Sequence, residues 1–116
     1  MKYLLMLCSD VSGVDDEVFQ EAIRAGCEGW TEEMRERGKL VAAEGLRPAT
    51  DATTIKVRGG DLLLSDGPFA ETKDQIGGFT MLECADLDEA IELAARHPWA
   101  KAGQIELRPV WTEPAH

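Results

Sequence analysis

Ionisable side chains are concentrated in one short stretch near the middle of the sequence. Asp66, Glu71 and Lys73 lie within eight residues of one another. A carboxylate beside an ammonium group can act as a general base with an electrostatic partner. We therefore predict a catalytic site with Asp66 as the base, Lys73 as its partner and Glu71 beside them. The alternative is structural: Asp66 caps a turn at Gly67-Pro68, and the other charges are solvated.

A second set of charged residues interrupts two apolar segments. Glu44 lies within one of them, and Glu106 and Arg108 alternate with Ile105 and Leu107 in the other. If helices cover the face carrying Ile105, Glu106 and Arg108 point to the opposite face, where Arg108 can bind a carboxylate or phenolate through paired hydrogen bonds. We predict Arg108, Glu44 and Glu106 as substrate-binding residues. An interface ion pair between Arg108 and a carboxylate explains the same pattern and is favoured, because arginine is enriched at interfaces.

The histidines and tryptophans are weaker candidates for chemistry. His97 follows a helical pattern and precedes Pro98, so we expect it to cap the helix C-terminus as a cation rather than to act in catalysis. Trp30, Trp99 and Trp111 are expected to pack in the core.

Neither a metal site nor a cofactor is predicted. The three cysteines are widely separated, and His97 and His116 are far apart, whereas metal ligands usually occur in close pairs. The two Gly-Gly pairs match neither phosphate-binding nor dinucleotide-binding spacing.

Composition limits the class of protein. With 116 residues, 44% hydrophobic and 29% charged, the chain is expected to form one globular domain over residues 1–116. Its formal charge of -10 repels phosphate backbones and anionic lipid, so we expect neither nucleic acid nor membrane as a partner. The first apolar run is too short for a signal peptide, and isolated cysteines fit reduced thiols, which predicts a cytoplasmic location.

Hydrophobic periodicity predicts the elements that position these residues. Strands are expected at residues 2–8, 40–46, 79–84 and 104–110, helices from about Ser12 to Gly38 and from Asp86 to His97, and a hairpin at 53–57 and 61–64 around Gly59-Gly60. The apolar stripe of the first helix comprises Phe19, Ile23, Cys27, Trp30 and Met34, and that of the second comprises Leu87, Ile91 and Ala94. Gly26 and Gly29 would then mark close packing of the first helix against the sheet.

The order of these elements predicts an α+β fold of ferredoxin-like βαββαβ topology with an inserted β-hairpin. Two helices cover only one face of such a sheet. The first strand nevertheless carries Leu5 and Leu7 on one side and Leu4 and Met6 on the other. An uncovered apolar face normally marks an interface, so we predict a homodimer in which the two sheets face each other.

Several segments carry a family resemblance. The segment DGPFAETK at residues 66–73, the following Gly77-Gly78-Phe79, the segment AEGL at 43–46 and the closing LRPVW at 107–111 resemble the DGPF group of the YCII-related family over nearly the whole chain. The resemblance implies a dimeric α+β barrel with a cleft between two facing sheets.

The resemblance implies less about activity. For some relatives the resemblance implies a His-Asp dyad, and one branch of the family eliminates chloride from a chlorinated hydroxyquinol. This chain lacks the early histidine of that dyad, so the dyad is not carried over. Two hypotheses remain: an enzyme performing proton transfer or elimination on a small metabolite in the dimer cleft, or a non-catalytic ligand-binding or regulatory module. For the second, the resemblance suggests association with an extracytoplasmic-function sigma factor, whose genes often lie beside those of the family.

Overall fold

The computed structural model describes residues 1–10, 17–67 and 74–111. In chain order the elements are β1 (Lys2–Asp10), α1 (Glu17–Glu36), β2 (Leu40–Gly45), a 3-10 turn (Ala49–Asp51), β3 (Thr53–Arg58), β4 (Asp61–Asp66), β5 (Asp74–Glu83), α2 (Leu87–Ala95), α3 (Trp99–Ala102) and β6 (Gln104–Pro109). The fold is therefore α+β, as predicted. The short helix α3 and the 3-10 turn were not predicted, and β5 begins earlier than the apolar pattern indicates.

The main sheet contains four strands in the order β2-β5-β1-β6. All three neighbouring pairs are antiparallel. The central strands β1 and β5 are thus hydrogen-bonded to a neighbour along both edges. The β1–β5 register shifts between Leu7 and Cys8, so that Leu7 pairs with Gly78 and Cys8 with Ile76. Gly77 is the extra residue of a β-bulge.

The hydrophobic core lies between one face of this sheet and the helices. Tyr3 and Leu5 of β1 and Leu82 of β5 point to this side and are at most 3% exposed. Trp30 and Met34 of α1 pack against them, which confirms these two members of the predicted helical stripe. Each such side chain contributes roughly 1.5–3 kcal/mol through removal of apolar surface from water. The chain itself therefore covers one face of the sheet.

The C-terminus of α1 and the N-terminus of α2 lie where the sequence predicts them. After α1, Gly38 takes a φ of 72°, the left-handed conformation that closes helix C-termini. At the start of α2, Asp86 accepts a hydrogen bond from the Glu89 N–H at 2.9 Å, and Glu89 accepts one from the Ala85 N–H at 2.8 Å. That backbone hydrogen bond, followed by the one from Lys39, lowers the pKa of Glu89. Asp86 and Glu89 thus form a reciprocal cap of the capping-box kind at the predicted start of this helix.

The apolar face of α2 differs from the prediction. Its buried residues are Ala90, Leu93 and Ala94, whereas Leu87 and Ile91 are each 50% exposed. The predicted stripe was wrong at these two positions, because the face of α2 that packs in the core is the one carrying Ala90, Leu93 and Ala94, at spacings of three and four residues.

The two glycines of α1 have different surroundings. A Cβ atom on Gly26 would come within 2.8 Å of the Pro98 ring, whereas one on Gly29 would meet nothing within 4 Å. Close packing is therefore confirmed at Gly26 but against the residue before α3 rather than the sheet, and the expectation was wrong for Gly29. Trp111 also departs from expectation, since it is 79% exposed rather than in the core.

The predicted inserted hairpin is present. Strands β3 and β4 pair from Thr53–Asp66 to Arg58–Asp61 and form a separate two-stranded sheet. The turn residues Gly59 and Gly60 have φ angles of 59° and 84°. Positive φ at both central positions is the geometry of a type I′ turn, which suits the twist of a two-residue hairpin.

The contrast between the two glycines gives a matched test of helix packing. We expect Gly29→Ala to raise the free energy of unfolding by about 0.5–1 kcal/mol, because alanine orders the helix at no steric cost. Gly26→Ala should lose that gain or destabilise the protein, because the new methyl group overlaps the rigid Pro98 ring. Urea denaturation of both variants measures the difference. Equal stabilisation by the two substitutions would contradict the packing at Gly26.

Candidate ligand-binding face of the sheet

The face of the main sheet opposite the helices carries a regular pattern of side chains. Strand register places Glu44, Phe79, Met6 and Glu106 in one row across β2, β5, β1 and β6. The next row contains Ala42, Met81, Leu4 and Arg108. We call this surface, defined by these two rows, the open face. Leu4, Met6, Phe79 and Met81 are only partly buried there, in contrast to Leu5 at 0% exposed on the helix side.

The open face therefore has an apolar centre and charged edges. Glu44 lies on one edge strand, and Glu106 and Arg108 lie on the other. Strand spacing of roughly 4.8 Å separates Glu44 from Glu106 by about 14 Å. A flat apolar molecule with polar groups on its rim is chemically complementary to such a surface.

Arg108 is already engaged by a neighbour on its own strand. Its guanidinium group forms an ion pair with the Glu106 carboxylate, and both side chains are more than half exposed. The structure thus contains the carboxylate partner that was considered for Arg108, within the chain itself. Because an exposed ion pair contributes at most about 1 kcal/mol, a ligand anion that binds in bidentate fashion can replace Glu106 at little cost.

The predicted catalytic residues are only partly described. Lys73 and Glu71 lie outside the described residues. Asp66 is the last residue of β4, where it pairs with Thr53 and is exposed. The hairpin connects the edge strand β2 to β5, whereas Arg108 lies on the other edge strand, β6. Of the six predicted site residues, the structure brings Glu106 and Arg108 into direct contact.

Two features that hold the open face in place were not recognised in the sequence. The Trp99 indole donates a hydrogen bond to the Cys8 carbonyl at 2.8 Å, and its ring lies 3.4 Å from where a Cβ on Gly77 would be. A Cβ on Gly78 would approach the Glu44 carbonyl to 3.0 Å. The Gly77-Gly78 pair therefore allows close contact with Trp99 on one side and with β2 on the other. The Gly-Gly pair after the DGPF segment can be recognised in the sequence, but Trp99 and β2, which it contacts, are distant from it in sequence.

His97 is a buried structural residue rather than a charged helix cap. It is 1% exposed, and its ring meets Trp30 edge-on with centroids 4.6 Å apart. Its Nδ1 accepts a hydrogen bond at 3.0 Å from the backbone N–H of Trp99, so that nitrogen carries no proton. Burial lowers the pKa of His97 from 6.5 to about 4. The expectation of a protonated cap was therefore wrong, because desolvation outweighs the helix dipole.

The described residues form neither a metal-binding cluster nor a membrane-spanning helix. Among them, no three His, Cys, Asp or Glu side chains are grouped so that they could hold a metal ion. None of the described helices is long and apolar enough to cross a membrane.

The fold and the open face together define a class: small α+β proteins with helices on one side of an antiparallel sheet and a partly apolar surface on the other. The model of the YCII-related domain matches residues 1–113, and the chain belongs to this family, as the sequence resemblance indicated. An uncharacterized protein of Rhizobium meliloti is 43% identical over 77 residues, which cover 65% of this chain and 62% of that protein. The alignment thus spans less than two thirds of the relative.

A solved structure supports the same fold. It is the 5-chloro-2-hydroxyhydroquinone dehydrochlorinase of Burkholderia phenoliruptrix in complex with 2,5-dihydroxybenzoquinone. The match covers 98% of this chain and 96% of that one, with a TM-score of 0.56 and 17% identity. At this identity the similarity concerns the fold.

The depressed pKa of His97 predicts a specific dependence of stability on pH. Between pH 6.5 and about 4, the unfolded chain binds a proton at His97 that the folded chain does not. The free energy of unfolding should therefore fall as pH falls through this window, by about 2–3 kcal/mol in total. His97→Asn keeps an acceptor oxygen for the Trp99 N–H but does not titrate.

Chemical denaturation of both proteins between pH 7 and pH 4.5 checks this prediction. At pH 7 the variant should be less stable than the wild type, because it loses the ring contact with Trp30. Its free energy of unfolding should nevertheless change less as the pH falls. Parallel slopes in the two proteins would refute a buried neutral imidazole.

Proposed function

We propose that this chain is a homodimer of ferredoxin-like topology in which two open faces meet and enclose a cleft for a small hydroxylated aromatic ligand. Within that cleft we propose an enzymatic reaction of proton transfer or elimination. The observation that carries the proposal is the open face itself, with the apolar Met6 and Phe79 between the carboxylates of Glu44 and Glu106.

The dimer is supported by the unequal covering of the sheet. The strand order β2-β5-β1-β6 with one helix after β1 and another after β5 is the split βαβ arrangement, in which both helices cover the same face. A second copy related by a two-fold axis can cover the other face with the same residues. A stable interface of this kind buries roughly 800 Å² on each partner, and an apolar strand pair at its centre supplies the driving force.

The ligand class is supported by two independent considerations. An apolar centre formed by Leu4, Met6, Phe79 and Met81 favours a flat ring, and Arg108 at its edge can bind an ionised hydroxyl or carboxylate. The solved structure of similar fold holds 2,5-dihydroxybenzoquinone, a ring of this chemistry. In an elimination, a carboxylate accepts a proton from the ligand, and the leaving group departs with its bonding electrons. Asp66, with Lys73 and Glu71 near it in sequence, remains the proposed base, and Arg108 is the anchor.

A non-catalytic binding module is the second candidate. The described part of the open face carries carboxylates and an arginine but no histidine, since His97 lies in the core. A cleft without an imidazole can bind an anion and transmit its presence to a partner, for which a sigma factor is suggested by the family resemblance alone. Turnover distinguishes this candidate from the enzyme.

Ligand binding is expected to depend on Arg108. Arg108→Gln should raise the dissociation constant for 2,5-dihydroxybenzoquinone by about 10-fold or more, because a charge-assisted bidentate contact is lost. The matched control is Arg37→Gln, which removes a similarly ion-paired arginine from the helix side of the molecule. Isothermal titration calorimetry measures both. Equal affinity of the two variants would exclude the open face as the binding site.

Turnover, if the cleft is catalytic, is expected to depend on Asp66. With halogenated hydroxyhydroquinones as substrates, Asp66→Asn should reduce kcat by about 100-fold or more while KM changes little, because a general base acts on the chemical step. Glu106→Gln serves as the comparison. Full activity of Asp66→Asn in a folded dimer would remove Asp66 as the base, and activity lost only in Glu106→Gln would transfer the role to Glu106. If the wild-type protein binds the ligand but shows no turnover, the non-catalytic binding module is the function that remains.

A further inference from the structure

The inserted hairpin has one face that is almost entirely apolar and exposed. Register places Ile55 opposite Leu64 and Val57 opposite Leu62, and these four side chains are 58–64% exposed. On the other face, Lys56 pairs with Leu63, and polar pairs lie on either side of it. The hairpin is thus amphipathic, and no other part of the described chain covers its apolar side.

An isolated hairpin of this kind is marginally stable in water. None of the other described elements packs extensively against β3 or β4. The hydrogen bonds from the Gly67 N–H to the Ala52 carbonyl and from the Thr54 hydroxyl to the Gly67 carbonyl close its base. The apolar face therefore needs a surface beyond the described part of this chain to remove it from water.

Charge and position both favour a second copy of the chain as that surface. Lys56 and Arg58 balance Asp61 and Asp66 within the hairpin, so this segment is neutral whereas the whole chain carries -10. Two acidic bodies repel each other, and a neutral apolar arm is the segment that approaches a second body with least repulsion.

The hairpin also connects directly, along the chain, to two strands of the surface that the proposed dimer would bury. Leu46, at the end of β2, and Ile76, near the start of β5, are about half exposed, and the Leu46 N–H bonds to the Gly77 carbonyl. The hairpin joins these two strands at this end of the sheet. Together the two surfaces supply more apolar area than either does alone, toward the roughly 800 Å² that a stable dimer buries on each partner.

Asp66 shares the apolar face of the hairpin. It pairs with Thr53, one step along the same side as the Ile55–Leu64 pair. We propose that each hairpin docks this face on the second copy of the chain and thereby delivers Asp66 to the cleft half that carries Arg108 of that copy. This inference rests on the proposed dimer and makes the site composite: the base comes from one copy and the anchor from the other.

Two neighbouring leucines test the docking directly. Leu64→Ser alters the apolar face and should raise the dissociation constant of the dimer by about 10-fold or more, because a buried leucine is lost from the interface. Leu63→Ser makes the same change on the opposite face and should alter that constant less than about 3-fold. Sedimentation equilibrium over a range of concentrations measures both, and circular dichroism verifies that both variants are folded.

Each outcome has a definite meaning. A dimer that is equally tight in both variants overturns the hairpin inference but leaves the proposed sheet-to-sheet dimer standing. A wild-type chain that stays monomeric overturns both. If Leu64→Ser instead weakens binding to phosphatidylglycerol vesicles with no change in association, the occupant is lipid and the inference is wrong.

A mixing experiment tests the composite site. Asp66→Asn and Arg108→Gln chains are prepared separately, unfolded together and refolded as a mixture. Random pairing leaves half of the dimers mixed, each with one intact composite site, so about a quarter of wild-type activity or high-affinity sites should return. If Asp66 and Arg108 act within one chain, none returns. If the wild-type protein neither binds nor turns over the quinone probe, the mixing experiment has no readout. The sedimentation experiment with Leu64→Ser and Leu63→Ser still tests whether the hairpin docks on the second copy.

Discussion

The structure depends on an imbalance between the two faces of one sheet. The two long helices cover the side of β1 that carries Tyr3 and Leu5, and these residues are almost completely removed from water. The other side carries Leu4 and Met6, which remain partly accessible. Apolar β-surface of this kind lowers the free energy of any arrangement that covers it. The apolar centre and the charged edges of the open face both lie on this uncovered side.

The elements that follow from local chemistry were predictable from the sequence. The strands β1 and β6, the start of α2 after Asp86 and the Gly59-Gly60 turn are set by neighbours within a few residues, and all are present. The predictions were wrong where contacts between residues distant in sequence determine the structure. His97 is neutral because the Trp30 ring and the surrounding core desolvate it. In α2 the small Ala90 faces the core rather than Ile91, a choice that depends on how closely the helix approaches the sheet.

The candidate site divides in the same way. Strand period alone indicated that Glu106 and Arg108 share a face opposite Ile105 and Leu107, and the register agrees. Glu44 shares a row with Glu106 only because β2 pairs with β5 rather than with β1, which is a long-range property. The role of Asp66 is harder still to infer, since the direction in which the hairpin leaves the sheet is not encoded by local propensity. The helix-side contact of Trp99 with Gly77 was invisible for the same reason.

The β-bulge at Gly77 has a consequence for how the strand presents its side chains. In a regular strand, residues 76, 78 and 80 would share one side, and Ile76 would point toward the helices with Thr80. The extra residue reverses the parity, so that Ile76 pairs with Cys8 and lies on the same side as Phe79 and Met81. A single glycine thus extends the apolar stripe of β5 by one more position toward the hairpin. Deleting Gly77 would keep Ile76 on that side, because the strand without the extra residue has the same register with β1.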